Sequence, residues 1–164
     1  MFSISDTEIN KASLEDAVSD QQAGAVVTFD GRVRNHNEGH PVKSLEYQSY
    51  ESMAEKVGLE IIQEAQQKFD IHQVAAIHRV GHLGIGEAAV VVSVSSSHRA
   101  DGFKACQYVI DEIKLRVPVW KKEHYVNKDP EWVACHQCAH PHEQDLEQEQ
   151  EQDHKQDLAH KHDH

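Results

Sequence analysis

What most constrains this chain is the point at which its large apolar side chains stop. Up to Val133 they recur at short, regular intervals, whereas beyond His140 only Leu146 and Leu158 interrupt a run of Gln, Glu, Asp and His. A tract of that composition cannot offset the entropy lost on ordering it. The expected organisation is one domain over residues 1–134, a length that suits a single core, and a disordered acidic tail over 135–164. Eight acids between Glu143 and His164 face only Lys155 and Lys161, so the tail carries half of the formal charge of -12. That leaves 20 of the 28 acids and 14 of the 16 bases elsewhere. Such a surface gives no reason to expect nucleic-acid binding through bulk charge.

Two spacings alternate before the tail. Ala25 to Phe29 and Leu45 to Tyr50 read as strands joined by the polar loop RVRNHNEGHP. Met53, Val57, Ile61 and Ala65 then recur at helical spacing within Ser52 to Phe69, with Ser52 placed to cap the first turn. Val74 to Val80 and Ala88 to Val94 read as strands that pair antiparallel across a turn at Gly81 to Gly86. Phe103, Cys106, Ile110, Ile113 and Val117 step by three and four as a second long helix, which Pro118 ends. Val119 to Val126 runs extended, and Trp132 to Ala134 adds a short closing strand. With no regular βαβ rhythm, the fold class is α+β, a mixed and mainly antiparallel sheet with two long helices. No apolar run approaches the ~20 residues that span a bilayer. The opening MFSISDTEINK has no basic and apolar leader, and three cysteines do not make a disulfide framework, so a cytoplasmic protein is expected.

Positive charge is concentrated in three places. Ser95 to Arg99 lies at a strand-to-helix junction, where free backbone N–H groups, the helix dipole, His98 and Arg99 together suit an anion. A serine cap beside two ordinary surface cations is the plainer reading. Lys114, Arg116, Lys121 and Lys122 fall within nine residues, interleaved with Val117, Val119 and Trp120. Basic residues in a last helical turn often only complement the dipole, but a basic patch with apolar walls suits an anionic small molecule or a peptide carboxylate. Arg32 and Arg34 project to one side if their segment is extended. These features together describe an α+β domain for an anionic ligand.

Taken together, Phe29-Asp-Gly-Arg-Val-Arg-Asn-His-Asn37, Ile77-His-Arg-Val-Gly81, Ser97-His-Arg99 and Lys114-Leu-Arg-Val-Pro-Val-Trp-Lys-Lys-Glu123 resemble the large, catalytic subunit of molybdopterin synthase, in order and in spacing, over roughly Ile4 to Val133. The resemblance implies a hammerhead-like single domain. It also implies sulfur transfer to precursor Z, a cyclic pyranopterin monophosphate, from the C-terminal thiocarboxylate of a small ubiquitin-like partner. In the family two large subunits form a central homodimer within a heterotetramer, and no cofactor is required. Carried over by position, Lys114 and Lys121 match the catalytic lysines, Arg34, His98 and Arg99 the substrate-anion side, and Phe29 and Lys122 the pocket wall. Cys106, on the apolar face of its helix, reads as a small buried hydrophobe rather than a sulfur carrier.

The resemblance does not reach the tail. There Cys135, Cys138, His140 and His142 have the ligand types for Zn²⁺, although their spacing is not that of a standard finger and a solvated tail is the alternative. His72, His78 and His82 are expected to be hydrogen-bonded structural histidines, whereas the loop residue His36 belongs to the family motif and is expected at most to support the site, not to be catalytic. Two rival functions remain open at this point, a noncatalytic anion-binding assembly module and a metal-handling factor acting through the Cys/His tail.

Overall fold

The computed structural model describes residues 1–134. Strand β7 (Ala88–Ser96) is buried at every position but its first, which a strand achieves only when both faces are covered. It pairs antiparallel with β2 (Ala25–Arg32) and β5 (Val74–Arg79), while β1 (Phe2–Ser5) joins β5 in parallel, so the first sheet has the order β1-β5-β7-β2. Side chains alternate between faces along a strand. Ala76, Val90, Val92 and Val94 therefore meet α2 (Glu51–Lys68) and α3 (Arg99–Arg116), whereas Ala75 and Val91 meet Leu14 of the short α1 (Lys11–Ala17). Neither β1 nor α1 was expected from periodicity, because four and seven residues are too few to establish a period.

Both long helices form, with faces shifted from the sequence reading. Helix α2 has Tyr50 as its N-cap and no side-chain capping bond, so Ser52 lies inside the first turn rather than capping it. It buries Ala54, Gly58, Ile61, Ile62 and Ala65, leaving Met53 exposed. Helix α3 buries Gly102, Ala105, Cys106, Val109, Ile110 and Ile113, while Phe103 is turned outward. The reason is close approach. A Cβ at Gly102 would lie 2.7 Å from Ser96 Oγ and 3.1 Å from Val27 Cγ2, so helix and sheet meet too tightly for an aromatic ring on that side.

The second sheet is built on β4 (His40–Ser49), which pairs with β3 (His36–Asn37), β8 (Val119–Tyr125) and β6 (Gly81–Gly84); β9 (Glu131–Ala134) extends it beyond β8. The Gly81 to Gly86 stretch is thus not all turn. Gly81, at φ 94°, lets the chain leave the first sheet and enter the second, and the reversal itself is confined to Ile85 and Gly86. The polar loop contains a hairpin whose two central residues, Glu38 and Gly39, both have positive φ, a turn whose twist matches that of paired strands. Pairing of β5 with β7 is antiparallel, as the sequence predicts. No helix among the described residues is long and apolar enough to cross a membrane. The expectations for the tail, including Cys135, Cys138, His140 and His142, lie outside the described residues.

Candidate active site

A cleft of about 420 Å³ opens where the two sheets meet the end of α3. That volume lies within the range of small-molecule sites. Its wall comes from Phe29 and Arg32 of β2, Arg34 and Asn37 beyond it, Tyr47 of β4, Lys114 in the last turn of α3, and Lys121 and Glu123 of β8. The cleft deepens into a recess of about 30 Å³ bordered by Tyr47, His78, Lys114 and Lys121 over an apolar floor that includes Val90 and Ile113.

Strand period explains β8. Lys121, Glu123 and Tyr125 share one face, and Lys122 takes the other. Glu123 is almost wholly buried, with its side chain 2% exposed, and its charge is matched on three sides. Lys121 Nζ lies 2.9 Å from Oε1, Asn37 Nδ2 donates to Oε2 at 2.8 Å, and the Tyr125 hydroxyl donates to the same oxygen. Burial alone would raise the Glu123 pKa, but the bonds from Tyr125, Lys121 and Asn37 outweigh it and hold the carboxyl below its ordinary value. Burial, reinforced by the same contact, pushes Tyr125 up to about 12. Glu123 thus ties Lys121 to the hairpin that follows Arg34.

Arg34 is placed by backbone bonds on both sides. Val33 donates to Glu87 O at 3.0 Å and accepts from Gly86 N at 2.9 Å, while Asn35 O accepts from Val42 N at 2.8 Å. Next to it, Arg32 is bound to Asp30, as is Lys11, and the Arg32 bond is the main cause of the lowered Asp30 pKa. The charges in the cleft therefore divide. Arg32 and Lys121 have carboxylate partners, whereas Arg34 and Lys114 have none among the described residues.

A family model described as "MoaE protein" matches residues 4–116. The chain belongs to the MoaE family. Among MoaE relatives, the molybdopterin synthase catalytic subunit of Thermoplasma volcanium is 44% identical over 129 residues, covering 79% of this chain and 94% of the relative. The fold matches a crystal structure of molybdopterin synthase from Staphylococcus aureus, with a TM-score of 0.77 and 36% identity over 80% of this chain and 96% of that one. A chain in a complex of subunits 1 and 2 of molybdopterin-converting factor from Helicobacter pylori shares the fold at TM-score 0.65, with 18% identity over 85% of this chain and 93% of that one.

Of the residues singled out in this MoaE sequence, Lys114, Lys121, Arg34 and Phe29 meet in the cleft. Lys122 does not line it; its ammonium lies over the Trp132 ring, 5.5 Å from the centroid. Arg116 turns toward α2, where it binds Glu64 and Glu112. His98 and Arg99 stand at the other end of α3, about 22 Å from Lys114 at ~1.5 Å of rise per residue. The nearby serines have internal partners, since Ser95 Oγ accepts from Gln73 N, Ser96 Oγ donates to His98 O, and Ser97 Oγ pairs with His72. Cys106 is buried as expected, and burial pushes its thiol up to about 11, the opposite of an activated sulfur nucleophile. Sequence reasoning gave Asn37, Tyr47 and Glu123 no role in the cleft; for Glu123 the two-residue spacing from Lys121 was the available signal.

Proposed function

We propose that this chain is the catalytic subunit of molybdopterin synthase and transfers sulfur from the C-terminal thiocarboxylate of a small ubiquitin-like partner to precursor Z, forming the dithiolene of molybdopterin. The observation that carries this reading is the pair of cations, Arg34 and Lys114, that have no carboxylate partner among the described residues and stand in a cleft of small-molecule size. A phosphorylated pterin and a thiocarboxylate tail are both anionic, and uncompensated cations in a recess attract both. The thiocarboxylate is already a good sulfur nucleophile. What remains for the protein is to position it, hold the substrate's anionic groups and supply protons to departing oxygens. Lys114 and Lys121 serve the tail terminus, Arg34 the substrate anion, and Phe29 an apolar wall.

His98 and Arg99 cannot reach the same small molecule as Lys114 of their own chain. In the homodimer that the resemblance implies, a second copy supplies them. The reading requires no resident metal or cofactor and fits the cytoplasm, where thiols stay reduced.

The test is to mix the purified protein with thiocarboxylated small subunit and precursor Z and to follow the dithiolene product by mass spectrometry, with carboxylate-terminated partner as control. Product that depends on the thiocarboxylate supports the enzyme. Partner binding without product would refute it in favour of an assembly module. Removing residues after Val133 separates the enzyme from a metal-handling factor, because the enzyme retains activity without the Cys/His tail.

A further inference from the structure

His78 is a buried titratable group beside the cleft that this mechanism leaves unused. Its side chain is packed edge-on against the Tyr47 ring, with centroids 5.1 Å apart and planes at 70°, and it borders the recess that also holds Lys114 and Lys121. Nδ1 lies 2.8 Å from the carbonyl oxygen of Arg79. A carbonyl only accepts, so Nδ1 carries the proton, and in the neutral ring Nε2 is then a bare lone pair. The ring is neutral because burial, reinforced by the charge of Lys114, outweighs the Arg79 bond and brings its pKa down to about 4. A histidine kept only for packing would have no reason to leave one nitrogen unused beside two ammonium groups.

We propose that His78 is the positioning residue for Lys114: its Nε2 accepts a hydrogen bond from the Lys114 ammonium and holds that nitrogen at the mouth of the cleft. No hydrogen bond joins the two side chains among the described residues, but both line the same recess, which is about the volume of one water molecule. The chemistry explains why a neutral acceptor stands here. Lys121 has the Glu123 carboxylate to orient it. A second carboxylate beside Lys114 would cancel the charge needed for an anionic tail, whereas an imidazole lone pair directs the ammonium and leaves its charge intact. A protonated histidine would instead repel it.

The proposal rests on the reading of Lys114 as a reacting-site lysine, so its test includes a signal that does not need turnover. Two-bond ¹H–¹⁵N correlation spectra of the ¹⁵N-histidine-labelled full chain give the state of each ring, and the His78 signals are those lost in His78→Gln. The expected result is a neutral Nδ1–H tautomer at neutral pH whose Nε2 resonance moves in Lys114→Met and stays in place in Lys122→Met. An Nε2 resonance unmoved by Lys114→Met overturns the proposal even where the synthase assay fails for other reasons.

With turnover, His78→Asn keeps a donor for the Arg79 carbonyl and removes the lone pair at the Nε2 position, while His78→Gln restores an acceptor there. We expect kcat to fall about tenfold to a hundredfold in the Asn variant, with KM for precursor Z within about twofold, and to recover most of the loss in the Gln variant. Equal losses in both variants, following their melting temperatures, would mean that His78 only packs.

Discussion

Replacing Glu123 by Gln keeps the shape of the buried side chain and removes its charge, so the consequences follow from three contacts. The two carboxylate oxygens serve Lys121 at Oε1 and Asn37 with Tyr125 at Oε2. An amide has one oxygen. If its NH₂ faces Lys121, two donors confront each other and the ammonium, whose side chain is 12% exposed, loses its counter-charge. If the NH₂ takes the other side, it meets the Asn37 amide. Either orientation forfeits a bond to a charged group, worth about 1.5–3 kcal/mol, within a buried pair whose disruption costs roughly 3–5 kcal/mol. We expect Glu123→Gln to lose about 3 kcal/mol of unfolding free energy near neutral pH in urea titrations. The loss has a pH signature. The folded-state pKa of Glu123 lies below its ordinary value of 4.5, so its contribution is complete above that value and disappears as pH falls through the lower folded value. Carboxylates common to both proteins cancel in the difference, and the gap between wild type and variant should close as pH falls below 4.5 and through the lower folded value of Glu123. A gap under about 1 kcal/mol at neutral pH, or one independent of pH, would show that the Glu123 network does not stabilise the fold.

Lys114→Ala should cut turnover by at least about a hundredfold with little change in melting temperature, while Lys122→Ala, off the cleft, should retain near-normal turnover; the synthase assay with parallel thermal melts checks both. Iodoacetamide should label Cys106 far more slowly in the native protein than in urea, because its thiol is raised to about 11 from 9.0 by burial. Peptide mapping would show this, and equal rates would place the thiol at the surface. Gly102→Ala improves helix propensity yet puts a methyl group 2.7 Å from Ser96 Oγ, so we expect a net loss of about 1–3 kcal/mol in urea melts; a gain would mean that α3 can move away.

The sequence by itself determined which segments are long helices and strands, since apolar spacing over many residues reports which side faces a core. It marked Ala88 to Val94 as an apolar strand, and the motifs shared with a known family brought Phe29, Arg34, Lys114 and Lys121, together with His98, Arg99 and Lys122, into one hypothesis. Short-range signals did not resolve β1, α1 or β6, and no spacing rule predicted that Gly102 would bring α3 close enough to turn Phe103 outward. Only the tertiary structure separated the four clustered cations, because a bent path through helix, proline and strand sends Lys114 and Lys121 to the cleft, Arg116 to Glu64, and Lys122 to Trp132. Only the tertiary structure showed that Glu123 and His78 each stand beside a lysine of the site, and that the length of α3 keeps His98 and Arg99 away from it. The physical reason is one of range: periodicity encodes which side of an element is buried, while charge pairing and cleft geometry depend on which elements meet across the fold, and those meetings join residues as far apart in sequence as Asn37 and Glu123.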